Sequence, residues 1–290
     1  MFALKKVLLP VDFSHRCRGA ARILDALHKH FQPEITLLHV LPPPHYEYSM
    51  ADLGGGIVQE YSVARTEQVR KDLEYFLDEE LKNFKINRVL LEGDPARKVV
   101  DYAHTNQMDL IVMPTHGYGG FRRFMLGSVT AKVLHDADCP VLTGVHLEDA
   151  PDPEEIKVEK VGVAIDLGPM SEKLLRWADA FAREAGAKLT IFHVTPSVEG
   201  MSGEVFEPNW RARFAEEAAK RIGDLQKAAG TEADVKFDAG DVASKVSVLA
   251  KEAGTDVLVV GRGHSAGVFG RIRAHAYSVI RLSPCPVISV

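Results

Sequence analysis

The chain is 290 residues long, about twice the usual single-domain size, so two domains of roughly 145 residues, each with its own core, are expected. Hydrophobic residues at 46% and charged residues at 26% match an ordinary globular composition and exclude disordered, fibrous and membrane-spanning classes. A formal net charge of −5 excludes nucleic-acid binding by general electrostatics, and three cysteines without a Cys-x-x-Cys spacing exclude a disulfide framework or a zinc site.

In chain order, the first predicted element is the short strand Val7-Leu-Leu-Pro-Val-Asp12. Its Pro10, Asp12 and the following Ser14 arrive before a signal-peptide core could form, which predicts a cytoplasmic protein. After Ser14, a predicted N-cap, Ala20, Ile23, Leu24, Leu27 and Phe31 recur at helical spacing against a sheet. A second strand, Ile35-Thr-Leu-Leu-His-Val40, follows, then the turn Glu92-Gly-Asp-Pro-Ala, the fourth strand Asp109-Leu-Ile-Val-Met113 and a last strand opened by Cys139-Pro-Val. The acidic, proline-bearing stretch Leu147 to Glu155 reads as a linker.

The whole series then returns. Val7 to Asp12 reappears as Val161-Gly-Val-Ala-Ile-Asp166 and Ile35 to Val40 as Leu189-Thr-Ile-Phe-His-Val194, both at an offset of 154. The helical positions after Ser171 are Leu174, Leu175, Ala178, Phe181 and Ala182. Ala239-Gly-Asp-Val-Ala, Asp256-Val-Leu-Val-Val260 and Cys285-Pro-Val follow at offsets of 147, 147 and 146, so the second copy is about eight residues shorter. This is a duplication, with boundaries expected at 1–147 and 158–290. Strands alternating with helical segments predict, in each copy, an α/β domain with a five-stranded open parallel sheet and helices on both faces. Right-handed crossovers then place the ligand crevice at the carboxyl ends of the strands.

At that end of the first copy the sequence reads Met113-Pro-Thr-His-Gly117-Tyr-Gly-Gly120-Phe-Arg-Arg-Phe-Met-Leu-Gly127-Ser128-Val129, a strand, a glycine-bearing loop and a predicted helix start. Glycines at 117, 119, 120 and 127 are expected to permit positive φ and close approach of backbone N–H groups to an anion. Gly127 and Ser128 would open the helix, where orphan N–H groups and the helix dipole favour phosphate and the hydroxyl adds a donor. Other readings stand beside these. Asp12 could cap the first helix as well as meet a ligand, and Gly127-Ser128 could be a plain helix start. His39 and His193 lack acidic or cysteine companions and read as structural before they read as metal ligands. Arg122 and Arg123 could reach a terminal phosphate or form a solvated face, and Cys139 and Cys285 read as small buried apolar residues.

The chain resembles a tandem universal stress protein, a family whose ATP-binding members carry Gly-x2-Gly-x9-Gly-[Ser/Thr] after the fourth strand. Gly117, nine residues, then Gly127-Ser128 match, whereas Pro114 replaces the first glycine and removes one N–H. The resemblance covers both copies and implies two Rossmann-like domains of the adenine nucleotide alpha hydrolase-like type. It further implies ATP, accompanied by Mg²⁺, held by Pro10, Asp12, Val40, Met113, Pro114, Gly117, Gly127, Ser128 and Val129. It implies an intramolecular pseudo-dimer, joined through Pro140 to Val145 and Pro286 to Val290, with a homodimer as the higher assembly. The expected activity is regulatory and non-enzymatic, the alternatives being a nucleotide-independent scaffold or a slow ATP hydrolase. A Gly-x4-Gly-Lys-[Ser/Thr] loop is absent, and the position after the first strand reads Val11-Asp-Phe-Ser14 where adenylating ATP pyrophosphatases carry Ser-Gly-Gly-x-Asp-Ser. The second copy is expected to have lost the site, since Arg273-Ala274 or Ala274-His275 stand where Gly127-Ser128 would fall; the rival is that His264, Arg271 and Arg273 bind a different anion.

Overall fold

The computed structural model describes residues 2, 4–43, 55–115, 126–147, 150–195, 210–262 and 271–290. The first copy runs β1 (Lys6–Pro10), α1 (Arg16–Phe31), β2 (Glu34–Leu41), α2 (Gly55–Tyr75), β3 (Ile86–Glu92), α3 (Pro95–Thr105), β4 (Leu110–Val112), α4 (Ser128–Asp136) and β5 (Val141–Thr143). The second repeats it as β6 (Lys160–Ala164), α5 (Ser171–Ala185), β7 (Lys188–Thr195), α6 (Trp210–Ala229), β8 (Asp234–Ala239), α7 (Val242–Ala253), β9 (Val257–Val260), α8 (Arg271–Leu282) and β10 (Val287–Ser289). Each copy is a parallel five-stranded sheet, and the two merge into one ten-stranded sheet of order β3-β2-β1-β4-β5-β10-β9-β6-β7-β8. Among the described residues no helix is long and apolar enough to cross a membrane.

Strand alternation explains the layering. In β1 and the residue after it, Val7, Leu9 and Val11 enter one apolar layer, with α1, α5 and parts of the chain around α2 and α6, while Leu8 enters the other with α3, α4, α7 and α8. Both layers cross from one copy to the other. The start of each first strand is clamped identically: Asp109 Oδ2 accepts from Lys5 N and Lys6 N at 2.8 and 2.9 Å, and Asp256 Oδ2 accepts from Glu159 N and Lys160 N at the same distances. One swap distinguishes the copies. Leu8 and Leu38 of the first copy correspond to Gly162 and Phe192 of the second, and a Cβ at 162 would stand 2.3 Å from Phe192 Cε2.

The copies meet where β5 pairs with β10, antiparallel in an otherwise parallel sheet. The register is Val141↔Ser289, Leu142↔Ile288 and Thr143↔Val287. At the offset of 146, Leu142 faces its own equivalent and the flanking pairs are mirror partners, which is the isologous pairing of a local two-fold. The intramolecular pairing expected from the apolar last strands is therefore present. A second contact was not foreseen from sequence: α1 lies against α5, where Phe31 and Phe181 stack at 5.2 Å, Phe181 and Trp177 stack at 5.5 Å, and Phe2 sits edge-on to Trp177 at 5.4 Å. The stretch read as a linker is anchored at its start: Leu147 and Ala150 are buried, as is Val158 beyond it, and Arg22 Nη1 donates to the Ala150 carbonyl at 2.8 Å, while Asp152, Glu154 and Glu155 are exposed.

Candidate functional site

In the first copy β1 pairs with β2 on one side and β4 on the other. The chain leaves β1 toward β2 and β3, then returns to build β4 and β5, so the strand order switches direction between β1 and β4. That is where a doubly wound sheet opens a crevice at its carboxyl edge. Extending the β1–β4 register brings Pro10 beside Met113, and extending the β1–β2 register by two residues brings Asp12 beside Val40. Met113 and Val40 are buried, and Met113 N donates to Leu142 O at 3.1 Å. Pro10, Asp12, Val40, Met113 and Pro114 therefore share one edge.

The helix half of the site is tied to that edge directly. Gly127 is the N-cap of α4: its carbonyl accepts from Ala131 N at 2.9 Å, and Ser128 and Val129 form the first turn. Gly127 N donates to Thr115 O at 2.8 Å, while the buried Thr130 hydroxyl donates to Pro114 O at 3.1 Å. The two ends of the glycine loop are thus pinned together at the crevice. The N–H groups of Ser128, Val129 and Thr130 precede the first intrahelical donor, and the Ser128 side chain is exposed. One expectation is corrected: Gly127 has φ −59°, so positive φ is not what glycine supplies at this position. What remains is room, since the missing Cβ lets an anion approach the N-cap backbone. Gly117, with Gly119, Gly120, Arg122 and Arg123, lies outside the described residues.

Asp12 has a structural task in both copies. Its Oδ1 accepts from Ser14 N at 3.0 Å and from Cys17 Sγ at 3.2 Å, and Asp166 Oδ1 accepts from Gly168 N at 2.8 Å and Ser171 Oγ at 3.0 Å. The residues that follow, Phe13 and Leu167, are both left-handed at φ 64° and 59°. Because turn and strain recur in the second copy, they belong to the strand-to-helix turn itself. Ser14 holds the turn by its backbone, its carbonyl accepting from Cys17 N at 3.2 Å.

The histidines are structural. His39 Nδ1 donates to Val11 O at 2.7 Å and His193 Nδ1 donates to Ile165 O at 2.8 Å, equivalent bonds that fix the Nδ1–H tautomer. Burial holds His39 below the ordinary histidine range, consistent with a neutral ring. Among the described residues no cluster of three or more His, Cys, Asp or Glu could hold a metal. Burial pushes the thiols up, Cys17 to about 12 and Cys139 and Cys285 to about 11, so none is a thiolate near neutral pH. Two cavities of about 980 and 270 Å³, one between α5 and α6 and one beneath the linker, lie away from the crevice.

The second copy differs where the phosphate half would be. α4 and α8 end at equivalent residues, Asp136 and Leu282, yet α8 has 12 residues against 9 and starts at Arg271, three positions before the equivalent of Ser128. The N–H of Ala274 consequently falls inside the helix and is spent on it. The side chains of Arg271 and Arg273, and His264 altogether, lie outside the described residues.

Comparison with known proteins covers nearly the whole chain. The model of the universal stress protein family matches twice, at residues 3–143 and 157–290. A universal stress protein of Methanocaldococcus jannaschii is 31% identical over 138 residues, 48% of this chain and 80% of that protein. One of Thermus aquaticus is 31% identical over 142 residues, 48% of this chain and 96% of its own length. A solved universal stress protein of Archaeoglobus fulgidus superposes with a TM-score of 0.72 at 22% identity, covering 99% of this chain and 98% of that one.

Proposed function

Because the chain belongs to the universal stress protein family, carrying two copies of its domain, we propose that it is a cytoplasmic stress-response regulator that binds one ATP in its first copy. The observation that carries this reading is the tie between Gly127 N and Thr115 O, which brings the first turn of α4 to the carboxyl edge of β1 and β4. An acidic protein needs such a local device to hold polyphosphate, because its overall field repels it. Ser128 N–H, Val129 N–H and the Ser128 hydroxyl would meet phosphate oxygens, with Gly117 in the loop as the second close approach. The base would lie toward Asp12 and Val40. Mg²⁺ would accompany the nucleotide through its phosphates, since the described residues offer no carboxylate cage.

The second copy would take no ATP, because its equivalent amides lie within α8. Titration calorimetry with ATP, ADP and AMP tests the proposal. One site per chain is expected, weakened tenfold or more in a folded Gly127→Val variant, since a valine at the cap obstructs one or two charge-assisted contacts of about 1.5–3 kcal/mol each. Two equal sites, or unchanged affinity in the variant, would overturn it. Steady phosphate release at a rate dependent on Ser128 would move the assignment to the slow hydrolase.

A further inference from the structure

The second copy reaches into the first through the helix on which the proposed phosphate site stands. Arg262, just after β9, sends its guanidinium across the junction to the far end of α4. Nη1 donates to Ala137 O at 2.8 Å and Leu134 O at 3.4 Å, and Nη2 donates to Cys139 O at 2.7 Å. One turn nearer the site, Tyr277 Oη on α8 donates to Ala131 O at 3.0 Å. Carbonyls 131, 134 and 137 recur at intervals of three, so one face of α4 is held by donors from the second copy. Ala131 is also the residue whose N–H closes the first turn on Gly127 O.

Position makes this more than packing. Arg262 is the equivalent of Thr115 at the offset of 147, the residue whose carbonyl holds Gly127 in the first copy. Where the first copy ties its own loop, the second presents a cation to its neighbour's helix C-terminus, where the dipole and the unpaired carbonyls both favour positive charge. The base of Arg262 is fixed by its own N–H, which donates to Val290 O at 3.0 Å. The reciprocal contact uses another residue: Ser283, the equivalent of Ala137, has its carbonyl bonded by His146 Nε2 at 2.9 Å. Among the described residues, then, α4 is held by a guanidinium from the second copy, while the reciprocal hold on the end of α8 is a single histidine bond.

We infer that Arg262 is a positioning residue: from the second copy it sets the placement of α4 and, through that helix of about 13 Å, the first-turn amides that the proposed nucleotide site uses. The inference rests on that site for its functional half and on geometry for the rest. Burial holds the guanidinium below its ordinary range, yet arginine remains charged at working pH, so the clasp persists.

The test uses the full chain with Arg262→Met and Arg262→Lys, amide hydrogen exchange across Ala131–Val133, and ATP titration. Arg262→Met is expected to speed exchange at those amides and to weaken ATP three- to tenfold without changing the stoichiometry. Arg262→Lys, which keeps one carbonyl contact, should recover part of both. Unchanged exchange in folded Arg262→Met overturns the inference, as does faster exchange with ATP affinity intact, which would make the clasp merely structural. If the unaltered protein binds no ATP, the functional reading above fails, and the exchange alone decides whether Arg262 places the helix. Should Arg262→Met not fold, Tyr277→Phe removes only the Oη donor and is expected to give the same changes in smaller measure.

Discussion

Gly162 shows how closely a single position can be bound to one neighbour. A Cβ there would lie 2.3 Å from Phe192 Cε2 and 3.1 Å from Thr255 Cγ2, and Phe192 is fully buried with no room to swing aside. Gly162→Ala is therefore expected to destabilise the chain by about 1–3 kcal/mol, the usual cost of overpacking. Adding Phe192→Leu, which imitates the Leu8 and Leu38 pair of the first copy, should return part of that loss. Chemical denaturation of the two single variants and the double variant measures the coupling directly, and additive effects would refute the pairing. Asp12 and Asp166 make the complementary point. Their turns are the same although the fourth helices of the two copies start differently, at Ser128 and at Arg271, so the turn alone accounts for an aspartate at either position.

Among the elements, α1 and α5 carry the junction as much as the strands do. Phe181 is fully buried on α5 yet stacks on Phe31 of α1 and on Trp177, so it serves both copies at once. Phe181→Ala is expected to cost about 3–5 kcal/mol, and the loss should appear as earlier separation of the copies in thermal unfolding followed by calorimetry. A single undivided transition shifted by less than a degree would contradict this. The succession of strands and helices, the duplication and the start of α4 at Gly127-Ser128 were legible because each leaves a local mark: alternation, a repeated offset, a cap. The aromatic contact was not, because Phe31 and Phe181 satisfy the helical period equally well against their own sheet or across a junction. Arg262 was illegible for a similar reason, since nothing in Gly261-Arg262 says which carbonyls lie within reach. The burial of Leu147 and Ala150 at the start of the linker was not legible, because proline and acidic residues dominate that stretch. In the second copy the missing glycine and serine were readable, while the earlier start of α8 at Arg271 was not.

At the scale of the whole molecule, the ten-stranded sheet and the two continuous apolar layers hold the halves independently of the segment that joins them. A protease site introduced at the exposed Glu154-Glu155 should, once cut, leave residues on either side migrating together in size-exclusion chromatography at micromolar concentration. Separate elution of the two fragments would show that the covalent link, not the interface, maintains the arrangement. The antiparallel seam between β5 and β10 has one more effect. Each of these strands is already paired with its own equivalent within the same chain, so neither offers an edge to another molecule, and among the described residues the strands at the two ends of the sheet are β3 and β8. In a mixture with single-domain relatives this chain would form no hybrids through that seam: its choice of companion was made at synthesis, and the two halves inherit each other permanently.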